Sequence, residues 1–158
     1  MAEGSSSKGP MTAVLLVVFG VVCLGGIGVF GVLAAIAIPN FVAMQLKAKR
    51  AEVPANVDGI KMAELSYDAA FDGFVAVPAE PRGPASVGKE PKAWESTGDW
   101  SRLGWTPDEP VRGSYWVDVT PGGFTVHGVC DVDGDGERAE FIATVDTNAT
   151  MQTGRDVY

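Results

Sequence analysis

Between Lys8 and Lys47 the chain carries no charged residue, and from Met11 to Ile38 it is apolar apart from glycines and Thr12. As a helix, this run reaches about 42 Å, more than a hydrocarbon core of roughly 30 Å. It therefore predicts a transmembrane helix over 11–38 behind a short tail over 1–10. A cleaved secretory signal is the rival, since Ala35-Ile36-Ala37 imitates a cleavage site. The run is too long for a signal core, and Lys8 is the only side-chain cation before it. Gly26 to Gly31 spells G-x-G-x-x-G, but a pyrophosphate cradle needs a strand before it and a polar helix N-terminus after it. Gly28, Gly31 and Ala35 instead share one helix face, where small side chains let helices approach closely in lipid.

The run explains an odd average. The 158 residues combine a positive mean hydropathy of +0.13 with a net charge of −8. Residues 51–158 hold 19 acids against eight bases, a net −11, so the chain joins an apolar anchor to an acidic soluble domain. Such a domain argues against nucleic acid as a partner, because phosphates are bound by basic patches. Cys23 lies in the apolar run and Cys130 far from it, so both are expected as free thiols. Lys47, Lys49 and Arg50 follow the run and only Lys8 precedes it, which would place the C-terminal side in the cytoplasm. A whole translocated domain largely ignores that rule, so local charge does not set the orientation.

Residues 31–67, GVLAAIAIPNFVAMQLKAKRAEVPANVDGIKMAELSY, resemble the helix region of type IV pilins and type II secretion pseudopilins. Leu33 to Phe41 carries most of the likeness. A looser likeness continues through Leu103-Gly104-Trp105-Thr106-Pro107, Gly113-Ser114-Tyr115 and Asp131 to Gly136. The resemblance implies a membrane-anchored protein of a bacterial pilus or secretion machine, held in the inner membrane with its domain in the periplasm or at the cell surface. Its partners would be membrane lipid and other pilin-like or secretion-system subunits, met through the N-terminal helix. The family's leader glycine, first mature residue and glutamate fall here at Val17, Val18 and Val22. None matches, so the expectation is an anchor that is neither cut nor methylated, with incorporation into a fibre in doubt.

Beyond Pro39 a helix is expected to about Phe71. Leu46, Val53, Val57, Ile60, Ala63, Tyr67 and Phe71 recur at steps of three, four or seven, forming one stripe that should be the domain's own core. Pro39 and Pro54 should kink or open the helix, and Asn56, Asp58 and Lys61 should face water. The prolines and glycines of 78–93 predict a loop, and Trp94, Trp100 and Trp105 are expected to close one end of the core. Strands are expected at 115–119, 124–130 and 139–145, the first two joined by Thr120-Pro121-Gly122-Gly123, with a short fourth in 151–158. These elements predict an α+β, pilin-like fold: a long N-terminal helix, its first half in the membrane, packed on an antiparallel sheet of three to four strands within 113–158.

One constellation carries chemistry. Asp131-x-Asp133-x-Asp135-Gly136 puts carboxylates at alternate positions and a glycine at the turn, the way a loop wraps oxygen ligands around calcium. Ile142 occupies the position where an EF-hand has its last glutamate, so Glu137 or Glu140 would complete the set. The expected metal residues are Asp131, Asp133, Asp135 and Glu137, with calcium as the ligand; the competing reading is a solvated acidic turn. Catalysis has no such support. His127 and Cys130 would lie on opposite faces of a strand, and neither a nucleophile elbow, a P-loop nor zinc spacing occurs. Asn148-Ala149-Thr150 fits a glycosylation sequon, a tripeptide common by chance. The expected function is structural or assembly-related, with a non-polymerising, membrane-tethered, calcium-dependent binding domain as the alternative.

Overall fold

The computed structural model describes residues 9–158, without the side chains of residues 22–27 and 29. Most of the expected tail over 1–10 lies outside the described residues, as do the side chains of Val22 and Cys23. The chain divides into two compact units, Met1–Ala43 and Met44–Tyr158. Helix α1 (Pro10–Arg50) starts on a proline, which costs nothing where the first N–H groups have no intrahelical acceptor. It runs through Pro39 without ending. Among the described residues one helical stretch, Phe30–Phe71, is long and apolar enough to cross a membrane, and its most apolar window is wholly unburied.

In the second unit the helix breaks at Ala51 and resumes as α2 (Glu52–Phe71). Pro54 explains the place of the break. It has no N–H to give the Arg50 carbonyl, so α1 ends there, and it sits in the first turn of α2, where a proline is tolerated. Val53, Val57 and Ile60 are fully buried, each worth about 1.5–3 kcal/mol of transfer free energy. The stripe is thus the unit's own core, with two departures. Phe71 is 68% exposed. The last buried position of α2 belongs to Glu64.

Opposite α2 lies a five-stranded antiparallel meander in the order β1-β2-β3-β4-β5. The strands are β1 (Val77–Glu80), β2 (Ser114–Thr120), β3 (Gly123–Cys130), β4 (Ala139–Thr144) and β5 (Thr150–Met151). The expected sheet of three to four strands is corrected to five, because β1 falls where prolines predicted loop. As an edge strand it tolerates Pro78, and it pairs Val77 with Val117 and Glu80 with Tyr115. The expected strand in 151–158 shrinks to Thr150–Met151, although the Gln152 N–H still donates to the Glu140 carbonyl at 2.8 Å. In the β2–β3 hairpin Thr120 faces Gly123 and Trp116 faces His127, so Tyr115, Val117, Phe124 and Val126 all point inward. Gly128 brings α2 close: a Cβ there would stand 2.5 Å from Val57 Cγ2.

The water-facing expectation for Asn56, Asp58 and Lys61 is also corrected. Asn56 Nδ2 donates to the Tyr115 hydroxyl at 3.0 Å, and Asp58 Oδ1 accepts from the Ala149 N–H at 2.7 Å. Lys61 is buried, with Nζ donating to Asn148 Oδ1 at 3.0 Å, so a long aliphatic stem crosses the helix–sheet seam to a polar end. Trp94, Trp100 and Trp105 close one end of this core together with the short helix α3 (Asp99–Leu103). Trp94 meets Trp100 and Trp105 edge-on, at 4.8 and 5.1 Å.

Candidate metal centre

The loop after β3 is built by its first aspartate. Asp131 is buried, and its carboxylate accepts the Gly134 N–H at 2.5 Å on Oδ1 and the Gly136 N–H at 3.2 Å on Oδ2. Gly134 and Gly136 have φ of 69° and 93°, a region that costs glycine nothing and other residues strain. The turn folds the chain back so that one carboxylate oxygen each of Asp131, Asp133 and Asp135 lies within 4.8 Å of the others. Asp135 Oδ1 accepts the Glu137 N–H at 2.8 Å. Asp133 Oδ1 is shielded from solvent and has no hydrogen-bond partner among the described residues.

This arrangement fits a hard cation. The donor set is oxygen only, and three carboxylates this close repel one another without a positive charge between them. Asp131 keeps free lone pairs beside its two N–H donors, and Asp133 Oδ1 has both. Glu137 stands outside the cluster; its backbone N–H, not its carboxylate, is tied in. The Glu140 carboxylate lies 3.7 Å from His127 Nδ1. The stem of Lys89, from the segment before the tryptophans, packs over Gly134, where a Cβ would stand 2.5 Å from its Cε. No sequence signal marks Lys89, because its distance along the chain from the aspartates carries no periodicity.

The loop is tied to the far end of α1. The Val132 N–H donates to the Tyr158 carbonyl at 3.1 Å. Arg50 donates to the carbonyls of Arg155, at 3.0 Å, and Val157, and its guanidinium lies 5.0 Å from the centre of the Tyr158 ring. The last residues thus form a strap from the end of α1 to the middle of the aspartate loop.

His127 and Cys130 are not brought together. The imidazole stacks on Trp116 with centroids 4.6 Å apart and planes 2° from parallel, between the carboxylates of Asp118 (3.4 Å) and Glu140. Cys130 is fully buried, and burial pushes its thiol up to about 12, which keeps it in the unreactive protonated form. The Trp116–His127 stack follows from the hairpin register, a signal present in the sequence once the turn is placed. No family model, curated protein or solved structure matches the chain.

Proposed function

We propose that this is a membrane-anchored, pilin-like structural or assembly protein that works in or beside a type IV pilus or type II secretion machine. The observation that carries the reading is the handover at Ala51. An apolar helix with no cover of its own leads directly into an amphipathic helix whose stripe is covered by an antiparallel meander. Such a design fixes a small folded domain to a helix that can only be satisfied by lipid or by other helices. The proposed place is a bacterial inner membrane, with the second unit outside the cytoplasm.

Fractionation tests this reading. The protein should appear in sheared surface filaments, or copurify with filament or secretion subunits from solubilised membranes; a membrane-retained protein that brings down neither overturns it. Val17, Val18 and Val22 predict an intact mass equal to that of the uncut chain. A mass showing cleavage after Val17 and one added methyl group would refute the uncut anchor.

A second reading, a non-polymerising membrane-tethered domain whose binding depends on calcium, is favoured by the shielded, partnerless Asp133 Oδ1. Calcium at a hundredfold excess over Kd should stabilise the full chain in detergent by about 2.7 kcal/mol, raising Tm by about 10 °C. Asp133→Ala should abolish that rise, as read by tryptophan fluorescence. An unchanged Tm in the wild-type chain would assign the loop to a solvated turn.

A further inference from the structure

We propose that the cleft between the first turn of α2 and the segment 107–112 receives the Lys47 side chain of a second copy of this chain, joining copies head to tail in one bilayer. The proposal rests on the assembly reading above and names the contact that reading lacks.

The cleft has a volume of about 380 Å³ and is lined by Glu52, Asn56, Asp108, Glu109 and Arg112 among others. Its charges are not balanced from within. Glu52 is already committed, its Oε1 accepting the Arg112 N–H at 2.8 Å and its Oε2 lying 3.4 Å from the Arg112 guanidinium. Asp108 and Glu109 remain, both exposed, with no basic partner within ion-pair distance among the described residues. A cleft with two surplus carboxylates on its rim, wide enough for an alkyl stem, suits an ammonium group with its three donors.

The chain supplies that group at the right level. Lys47 is exposed, and among the described residues no carboxylate lies within ion-pair distance of it. It precedes Glu52 by five residues, and Ala51 between them keeps right-handed helical angles (φ −61°, ψ −17°). Lys47 therefore sits about 7.5 Å along the axis from Glu52 and about 140° around it. Copies threaded the same way through one bilayer share a common depth, so the lysine of one copy lies close to the height of the next copy's cleft. Because donor and cleft lie on different sides of the helix, the contact does not close on a pair. Each added copy leaves one lysine and one cleft free, which is the geometry of an open row. Anionic lipid headgroups, the other candidate for Lys47, would leave Asp108 and Glu109 facing like charge. Exposed ion pairs of this kind set register more than affinity, and the shared membrane supplies the high local concentration.

Carbodiimide treatment of the full chain in membranes tests the contact, because it turns a lysine–carboxylate pair into an amide. The wild-type chain should give a ladder of dimers, trimers and higher species, with a junction peptide joining Lys47 to Asp108 or Glu109. Lys47→Gln should lower the ladder at least tenfold, and combining Lys47→Glu with Glu109→Lys should restore it. A Gly20→Cys variant in a Cys23→Ala background reports oxidative cross-linking through the apolar helix, with Cys130 too buried to interfere. Cross-links at Gly20→Cys without a Lys47 junction overturn the cleft contact and leave the assembly reading standing. Cross-links at neither place overturn the proposed row of copies. A wild-type ladder that survives Lys47→Gln assigns the contact to other residues and overturns the proposal.

Discussion

Trp100→Ala is expected to destabilise the second unit by about 3–5 kcal/mol, a third or more of what a domain of this size commonly has. Trp100 is fully buried and lies where α3 meets β1 and the indoles of Trp94 and Trp105. Its Nε1 donates to the Pro78 carbonyl at 2.9 Å, so truncation opens a large cavity and also removes a part-buried hydrogen bond to the edge strand. Trp100→Phe keeps part of the volume and loses only the hydrogen bond and the outer ring, and should cost about half as much. Trp116→Ala serves as the contrast. That ring lies on the outer face of the sheet and stacks on His127, which limits its loss to about 1 kcal/mol. Urea midpoints of the full chain in detergent check the series. A loss below 1 kcal/mol for Trp100→Ala would mean that the tryptophans decorate the fold and do not close its core.

What could be read from the residues follows the range over which each signal acts. The spacing of Val53, Val57 and Ile60 marks the buried face of α2, because a helix repeats its environment every three or four residues. Thr120 to Gly123 places the β2–β3 turn, and with it the register that stacks Trp116 on His127. The alternate aspartates of the β3–β4 loop are equally local. By contrast, Pro78 and Pro81 hide β1, since prolines mark an edge strand and a loop alike. Asn56, Asp58 and Lys61 look like a wet helix face until their partners are known. Those partners, Tyr115, Ala149 and Asn148, lie 59 to 91 residues away. The same holds for the strap from Arg50 through Tyr158 to Val132. Side-chain pairs of that separation leave no periodicity behind, so only the folded arrangement reveals them.

Glu64 is the residue that pattern reading could least anticipate, and it gives the second large effect. It occupies a fully buried position on α2, four residues after Ile60, where an aliphatic residue would satisfy the stripe. Its Oε2 accepts the Val75 N–H at 3.0 Å, holding the chain that leads into β1, while Oε1 has no partner. Burial raises its pKa from 4.5 to about 7, outweighing the Val75 hydrogen bond, which acts in the opposite direction. Between those two values the folded state holds a proton that the unfolded chain has released. Stability from this group is therefore fully present below about pH 4.5, falls as the pH rises, and is gone above about pH 7. The total swing is about 3 kcal/mol. Glu64→Gln keeps an acceptor for Val75 and removes the titration, at a cost of about 1 kcal/mol for an amide N–H₂ left without a partner. The variant should thus be somewhat less stable than wild type at pH 4 and about 2 kcal/mol more stable at pH 8, with the two stability curves crossing at about pH 5. Other titrating groups contribute equally to both proteins and cancel in the difference, so urea unfolding at five or six pH values isolates this carboxyl. Parallel curves would place the ionised form of Glu64 at no disadvantage in the core and remove the swing.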